Sequence, residues 1–182
     1  MIAPWKLFGR FGNSLFQYAY IYAQSRRTGQ DIYLQDPKYF EGYEDEIRSM
    51  LQQTTSTLDM VAIHVRRGDY VNNPFYVDLT STPYYYHAMK MFPVGTKFLV
   101  FSDDIEWCKT YFVGEEFEFH ERGTEVDDIT LMADCKAIII ANSSFSWWGA
   151  FLGDKNKKVI APKAWYSDLE ERTKCPKTWI RI

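Results

Sequence analysis

His64-Val65-Arg66-Arg67-Gly68-Asp69-Tyr70 follows directly on the apolar run Met60–Ile63. A histidine, two fixed cations and a carboxylate therefore stand where a buried strand should emerge into a loop. Core packing alone seldom groups such residues, because a buried charge is costly unless it is paired. The arginine fork offers paired donors and stays charged, which suits it to phosphate. The heptapeptide reads either as an anion grip, most naturally for a diphosphate, or as a surface loop closed by an Arg–Asp pair.

Working outward, strands are expected near 60–66, 97–102, 115–119, 136–141 and 157–161. Helices are expected near 84–92, 104–112, 126–134 and 145–152. Thr82-Pro83 reads as a helix start, a cap followed by a first-turn proline. The runs 97–100 and 136–141 are short and apolar, as strands buried on both faces should be. Repeated βα units of this length predict a parallel sheet with right-handed crossovers.

Upstream, residues 5–8 read as a short strand and Gly9-Arg10-Phe11-Gly12-Asn13 as a tight turn. A helix over about 14–27 follows, capped by Asn13 or Ser14. Its apolar residues cover more than one face, which predicts deep burial. Arg26 and Arg27 suit its C-terminal end, and Gly29 stops it. Residues 31–34 read as a second strand. Residues 35–58 are polar and hold one short predicted helix, with Glu44-Asp45-Glu46 at its positive end. The run 52–56 reads as a linker, so two lobes are expected, 1–58 and 59–182.

In an open parallel sheet, ligands bind beyond the carboxyl ends of the strands. Four predicted strand ends carry polar clusters: 9–13, 64–69, Ser102-Asp103-Asp104 and Asn142-Ser143-Ser144. All four fall along one edge, which favours the site reading of the heptapeptide. Each cluster also has a plainer use. Asp103 and Asp104 precede a helix and suit capping as well as ligand contact; as adjacent side chains they are a poor metal pair. Ser143 and Ser144 precede another helix, whose free N–H groups suit a phosphate or a simple cap. Trp147 and Trp148 read as core, and Gly149 as a point of close packing. Asp127 and Asp128 suit a helix cap, and Asp128 also suits a guanine edge. His87 reads as structural.

The composition narrows the function. The chain of 182 residues is 46% hydrophobic and 18% aromatic, with net charge −3, which argues against a general nucleic-acid or anionic-membrane binder. Its three cysteines, Cys108, Cys135 and Cys175, lack metal-like spacing and read as reduced thiols of a cytoplasmic protein. Cys135 opens an apolar strand and reads as core. No signal peptide and no apolar run of about 20 residues is legible, so no integral membrane segment is expected; peripheral contact with a membrane is compatible with this. No nucleophilic triad and no P-loop pattern is present.

Four segments together resemble glycosyltransferase family 11, the α-1,2-fucosyltransferases: GRFGNSLFQYAYIYA at 9–23, HVRRGDY at 64–70, FSDD at 101–104 and DITLMADCKAIIIANSSFSWWGAFL at 128–152. APKAW (161–165) and CPKTWIRI (175–182) fit as well. The resemblance implies an α/β, GT-B-like fold of Rossmann-type parallel sheets, with a complete C-terminal donor lobe. It implies GDP-fucose as donor substrate, a glycan acceptor, transfer with inversion, and neither a cofactor nor a metal.

The resemblance makes Arg66 the pyrophosphate arginine and puts His64 and Asp128 near the guanine. Asp103 and Asp104 become an acidic pair near the donor, and Ser143, Ser144 and Phe145 the turn receiving the phosphates. Gly12 and Asn13 become the glycine-rich loop of the N-terminal lobe, with Arg66, Asp69 and Asn13 the catalytic set. The base is open among Asp69, Asp78, Asp103, His120 and the leaving phosphate. Arg67 points away from Arg66 if the strand alternation continues, which suits an ion-pair partner. Ser14 stands where the family often has Gln. The family usually places far more chain before HVRRGD, so a reduced N-terminal lobe is expected.

Overall fold

The computed structural model describes residues 11–28, 58–121, 123–167 and 175–182. The chain divides into two compact units, Met1–Gln53 and Thr54–Ile182.

In the first unit, helix α1 spans Phe11–Thr28, with Arg26 and Arg27 in its last turn. It starts earlier than expected. Gly12 and Asn13 are first-turn residues, so the predicted cap at Asn13 or Ser14 does not form. First-turn N–H groups lack an intrahelical partner wherever a helix begins, so glycine's poor propensity is least costly there. Among the described residues, Ala19 and Ala23 are fully buried, whereas Tyr18 is 45% exposed. The strands expected at 5–8 and 31–34, the helix within 35–58 and the linker at 52–56 lie outside the described residues.

The second unit is a doubly wound α/β layer. Its strands are β1 (Leu58–Val65), β2 (Phe98–Ser102), β3 (Phe117–Phe119), β4 (Cys135–Ile139), β5 (Lys158–Ala161) and β6 (Ile180–Arg181). They form one parallel sheet in the order β3-β2-β1-β4-β5-β6. This is the Rossmann order, and its direction reverses between β1 and β4. The five longer strands fall where the apolar runs predicted them. The two-residue β6 was not predicted, because it has no apolar run and forms only by pairing with β5.

Helices α2 (Tyr84–Met89), α3 (Ile105–Tyr111), α4 (Glu125–Asp134) and α5 (Ser144–Phe151) fill the crossovers. Helix α2 ends three residues before the expected limit. Its start is shifted by one residue: Pro83 is the cap residue rather than a first-turn residue, while Thr82 Oγ1 accepts from Tyr84 N at 3.3 Å.

Strand alternation divides the core in two. Val61, Ile63 and Val65 join Val100, Ile139 and Ile160 in a cluster with Tyr84, Tyr85 and Ala88 of α2 and Cys108 of α3. Ala62 and His64 alternate with these and project to the opposite face. Complete burial of one Val or Ile side chain contributes about 1.5–3 kcal/mol, so the central strands anchor the unit. Tyr84 Oη lies 2.7 Å from Ile140 O and 3.1 Å from Ile160 O, and Tyr85 Oη donates to His64 O at 3.0 Å. The two phenols thereby tie α2 to the strand ends.

Helices α4 and α5 pack closely because Gly149 has no Cβ; one built there would stand 2.9 Å from Met132 Cβ. Trp147 and Trp148 are buried, as expected for core. Lys157 Nζ donates to Met132 O at 3.1 Å, Ala133 O at 3.0 Å and Gly149 O at 3.3 Å. One ammonium thus serves the carbonyl ends of both helices.

Candidate functional site

The topology puts the ends of β1 and β4 beside each other at the point where the strand order reverses. His64, Arg66 and Asp69 come from the first end, Ser143, Ser144 and Phe145 from the second, and Asp103 and Asp104 from the neighbouring end of β2.

Arg66 is the hub. Its Nη1 lies 2.9 Å from Asp103 Oδ2, and its Nη2 pairs with Asp69 Oδ1. The guanidinium stands 5.4 Å from the Tyr70 ring centroid. Arg67 turns elsewhere, as the alternation argument expected. Its Nε donates to Asp104 Oδ2 at 3.1 Å, its Nη1 to Thr80 Oγ1 at 3.4 Å, and its guanidinium lies 3.7 Å from the Trp107 ring centroid. The acidic pair is therefore divided between the two arginines. Asp103 Oδ1 also accepts Arg67 N at 2.9 Å, and Asp104 Oδ1 caps α3 by accepting Trp107 N at 3.3 Å. Of the two uses weighed for this pair, helix capping is realised in Asp104, which also pairs with Arg67. The 68–70 turn sits against Asp103, and a Cβ on Gly68 would collide with Asp103 Oδ2.

His64 is 4% exposed, and its Nδ1 is buried without a hydrogen-bond partner among the described residues. Burial pulls its pKa down to about 4, against a smaller upward pull from Asp103. The ring is therefore neutral at pH 7. It lies 5.6 Å from the Phe145 ring, so the β1 end meets the first turn of α5. Ser143 caps that helix, its side chain accepting from Phe145 N at 3.3 Å.

Asn142, beside these serines, has a structural task. Its Nδ2 donates to Val77 O and Trp165 O, both at 2.9 Å, and its carbonyl accepts Tyr70 Oη at 3.1 Å. The loop after the heptapeptide is thereby sewn to the β4 end. Within it, Asn72 takes φ 59°, a left-handed backbone that asparagine tolerates. Tyr76 then stacks on Tyr70 at 3.8 Å, and Phe75 and Tyr166 pack edge-on at 5.1 Å. Nothing in the sequence marks these contacts: those of Asn142 and Tyr166 join segments far apart along the chain, and the Tyr70–Tyr76 stack depends on how the loop between them turns. Burial, led by desolvation, raises the Tyr70 phenol well above its ordinary range, so it remains a neutral donor.

The remaining candidates divide. Asp128 lies in α4 and pairs with His120, Oδ1 to Nε2 at 2.8 Å. Its neighbour Asp127 forms a capping box with Thr124. Asp78 caps the turn Leu79–Ser81 through Thr80 N at 2.9 Å. Gly12 is buried and Asn13 exposed in the first turn of α1, where Asn13 O accepts Gln17 Nε2 at 3.2 Å. Cys135 is buried at the start of β4, and burial raises its thiol to about 11, which suits core rather than chemistry. Among the described residues, no three His, Cys, Asp or Glu side chains are grouped to hold a metal ion, and no helix is long and apolar enough to cross a membrane.

Residues 6–182 match the profile of Glycosyl transferase family 11. An Escherichia coli α-1,2-colitosyltransferase is 34% identical over 174 positions, covering 81% of this chain and 60% of that protein. The O-antigen biosynthesis glycosyltransferase WbnK of Escherichia coli is 28% identical over 178 positions, covering 82% of this chain and 59% of that protein. A Caenorhabditis elegans galactoside 2-α-L-fucosyltransferase is 24% identical over 176 positions, 76% of this chain and 45% of that protein. The chain thus spans about 60% of the length of the two bacterial relatives.

Proposed function

Since the chain belongs to glycosyl transferase family 11, we propose that it moves fucose from GDP-fucose to a glycan hydroxyl, in α-1,2 linkage and with inversion. The observation that carries the proposal is Arg66. It follows the end of β1 and pairs with Asp103 at the end of β2, at the edge where the strand order reverses and a Rossmann sheet receives a nucleotide. In this reading residues 59–182 form the donor lobe of a GT-B fold, and residues 1–58 supply a reduced acceptor-side lobe.

The acceptor oxygen attacks the anomeric carbon while the bond from that carbon to the β-phosphate oxygen breaks. GDP leaves with the bonding pair, and the acceptor proton passes to a base. Negative charge grows on the diphosphate. Arg66 and the N–H groups around Ser143, Ser144 and Phe145 therefore act most strongly in the transition state. The diphosphate takes over the guanidinium edge that Asp69 covers. Asp69 is half exposed and can turn away, which makes it the base of choice. Asp103 stays behind Arg66 to orient it, and Asp104 supports Arg67. His64 offers its unpaired Nδ1 to the nucleoside, and Asp128 accepts from the guanine edge. No cofactor or metal takes part.

One observation favours a second donor. The 34%-identical relative is named for colitose, so a different GDP-deoxysugar is the alternative. Transfer assays with GDP-fucose and competing GDP-deoxysugars over a glycan panel test both, with product linkage read by NMR and one arm run in chelator. Preferential fucose transfer unaffected by chelator supports the proposal. Preference for another deoxysugar selects the alternative. GDP binding without turnover on any acceptor would reduce the chain to a nucleotide-sugar or glycan-binding protein.

A further inference from the structure

Adjacent carboxylates in the first turn of α4 have been given different tasks. Thr124 N donates to Asp127 Oδ2 at 2.9 Å and Asp127 N to Thr124 Oγ1 at 3.2 Å, so Asp127 closes the capping box. Asp128 gives Oδ1 to His120 Nε2 at 2.8 Å, and its Oδ2 has no hydrogen-bond partner among the described residues. Its side chain is 28% exposed, open enough to be reached by a ligand.

His120 is itself held. It follows β3, its backbone N donates to Val100 O at 2.9 Å, and its ring lies against Phe101 at 5.1 Å. Phe101 is the register partner of His64 on β1, which places the pair on the His64 side of the sheet end. Gly123 closes over both groups. A Cβ there would stand 2.8 Å from His120 Nε2 and collide with Asp128 Oδ1.

We propose that His120 is a positioning residue for nucleobase recognition, holding one oxygen of Asp128 so that the other is presented to the ring N–H and amino group of a guanine. The proposal rests on the reading of Asp128 as the guanine-edge carboxylate. An exposed carboxylate rotates freely, whereas recognition of two parallel donors requires its plane to be fixed. A charge-assisted bond from a histidine anchored by backbone and ring supplies that constraint. Burial raises the Asp128 carboxyl, and the facing His120 opposes the rise.

The test is calorimetric titration of the full chain with GDP and with inosine diphosphate, which lacks the amino group. Asp128→Asn should erase the preference for GDP. His120→Leu retains packing on Phe101 without the donor, and should weaken GDP binding about tenfold to a hundredfold, the scale of one charged hydrogen bond. Inosine diphosphate should lose less. His120→Gln, which restores an N–H, should recover part of the preference, and His120→Leu should add nothing in the Asp128→Asn background. If thermal melting shows that His120→Leu is unfolded, His120→Ala takes its place. A normal nucleotide preference in the His120 variants, with the preference lost in Asp128→Asn, overturns the positioning role and leaves the guanine reading intact. A normal preference in Asp128→Asn overturns the guanine reading and the inference with it.

Discussion

Arg66 Nη1 and Asp103 Oδ2 meet at 2.9 Å, joining the end of β1 to the end of β2. The same carboxylate takes the backbone N–H of Arg67, so one side chain fixes both the cation and the turn that carries it. Arg66→Ala should lower turnover by about two to three orders of magnitude, corresponding to about 3–4 kcal/mol at the barrier. Arg66→Lys should recover little of it, because an ammonium lacks the paired fork. Steady-state kinetics beside circular dichroism check this; near-normal rates in a folded Arg66→Ala protein would remove Arg66 from the mechanism.

Gly68 packs against that same Asp103 carboxylate. Gly68→Ala should push Asp103 off Arg66 and Arg67 N, at an overpacking cost of about 1–3 kcal/mol. Because the displaced group orients Arg66, GDP affinity should fall together with the melting temperature. A variant that melts earlier yet binds GDP normally would show that Asp103 only supports the fold.

Lys157 offers the contrasting case, a charge remote in role from the strand ends. Lys157→Met leaves three helix-end carbonyls without their ammonium and should cost about 1–3 kcal/mol, seen as a lower urea midpoint with unchanged slope. Turnover per folded molecule should be unchanged. A matching loss of GDP binding in fully folded protein would contradict this division of labour.

His64 sets an acid limit on stability. Its folded pKa is about 4, below the 6.5 of the unfolded chain, so the unfolded state binds more protons between those values. Stability contributed at pH 7 by the neutral ring is therefore lost as pH falls from about 6.5 to about 4, amounting to roughly 3 kcal/mol. Urea titrations of His64→Gln against the parent should show a shallower decline across that window. Parallel curves would mean that His64 does not titrate with folding.

The sequence by itself determined the layer. Apolar runs such as 136–141, each followed by a turn signal and a helix, specify strand and crossover through local periodicity alone. The crossovers then force the polar turns at 64–69, 102–104 and 142–144 onto one edge. Local rules also exposed the task of Arg67, since consecutive strand residues face opposite ways. Other features were settled only by tertiary structure. Which carboxylate pairs with which arginine depends on bringing β2 beside β1, and HVRRGDY and FSDD carry no mark of the match. Asp128 lies against His120 because α4 follows β3 through a turn tight enough to require Gly123. The three bonds of Asn142 and the two-residue β6 join distant segments whose contacts exist only once the sheet has closed the loops between them. Hydrophobic period is a property of a segment and is written in it; a charge pair or a shared hydrogen bond belongs to two segments, and only the fold decides that they meet.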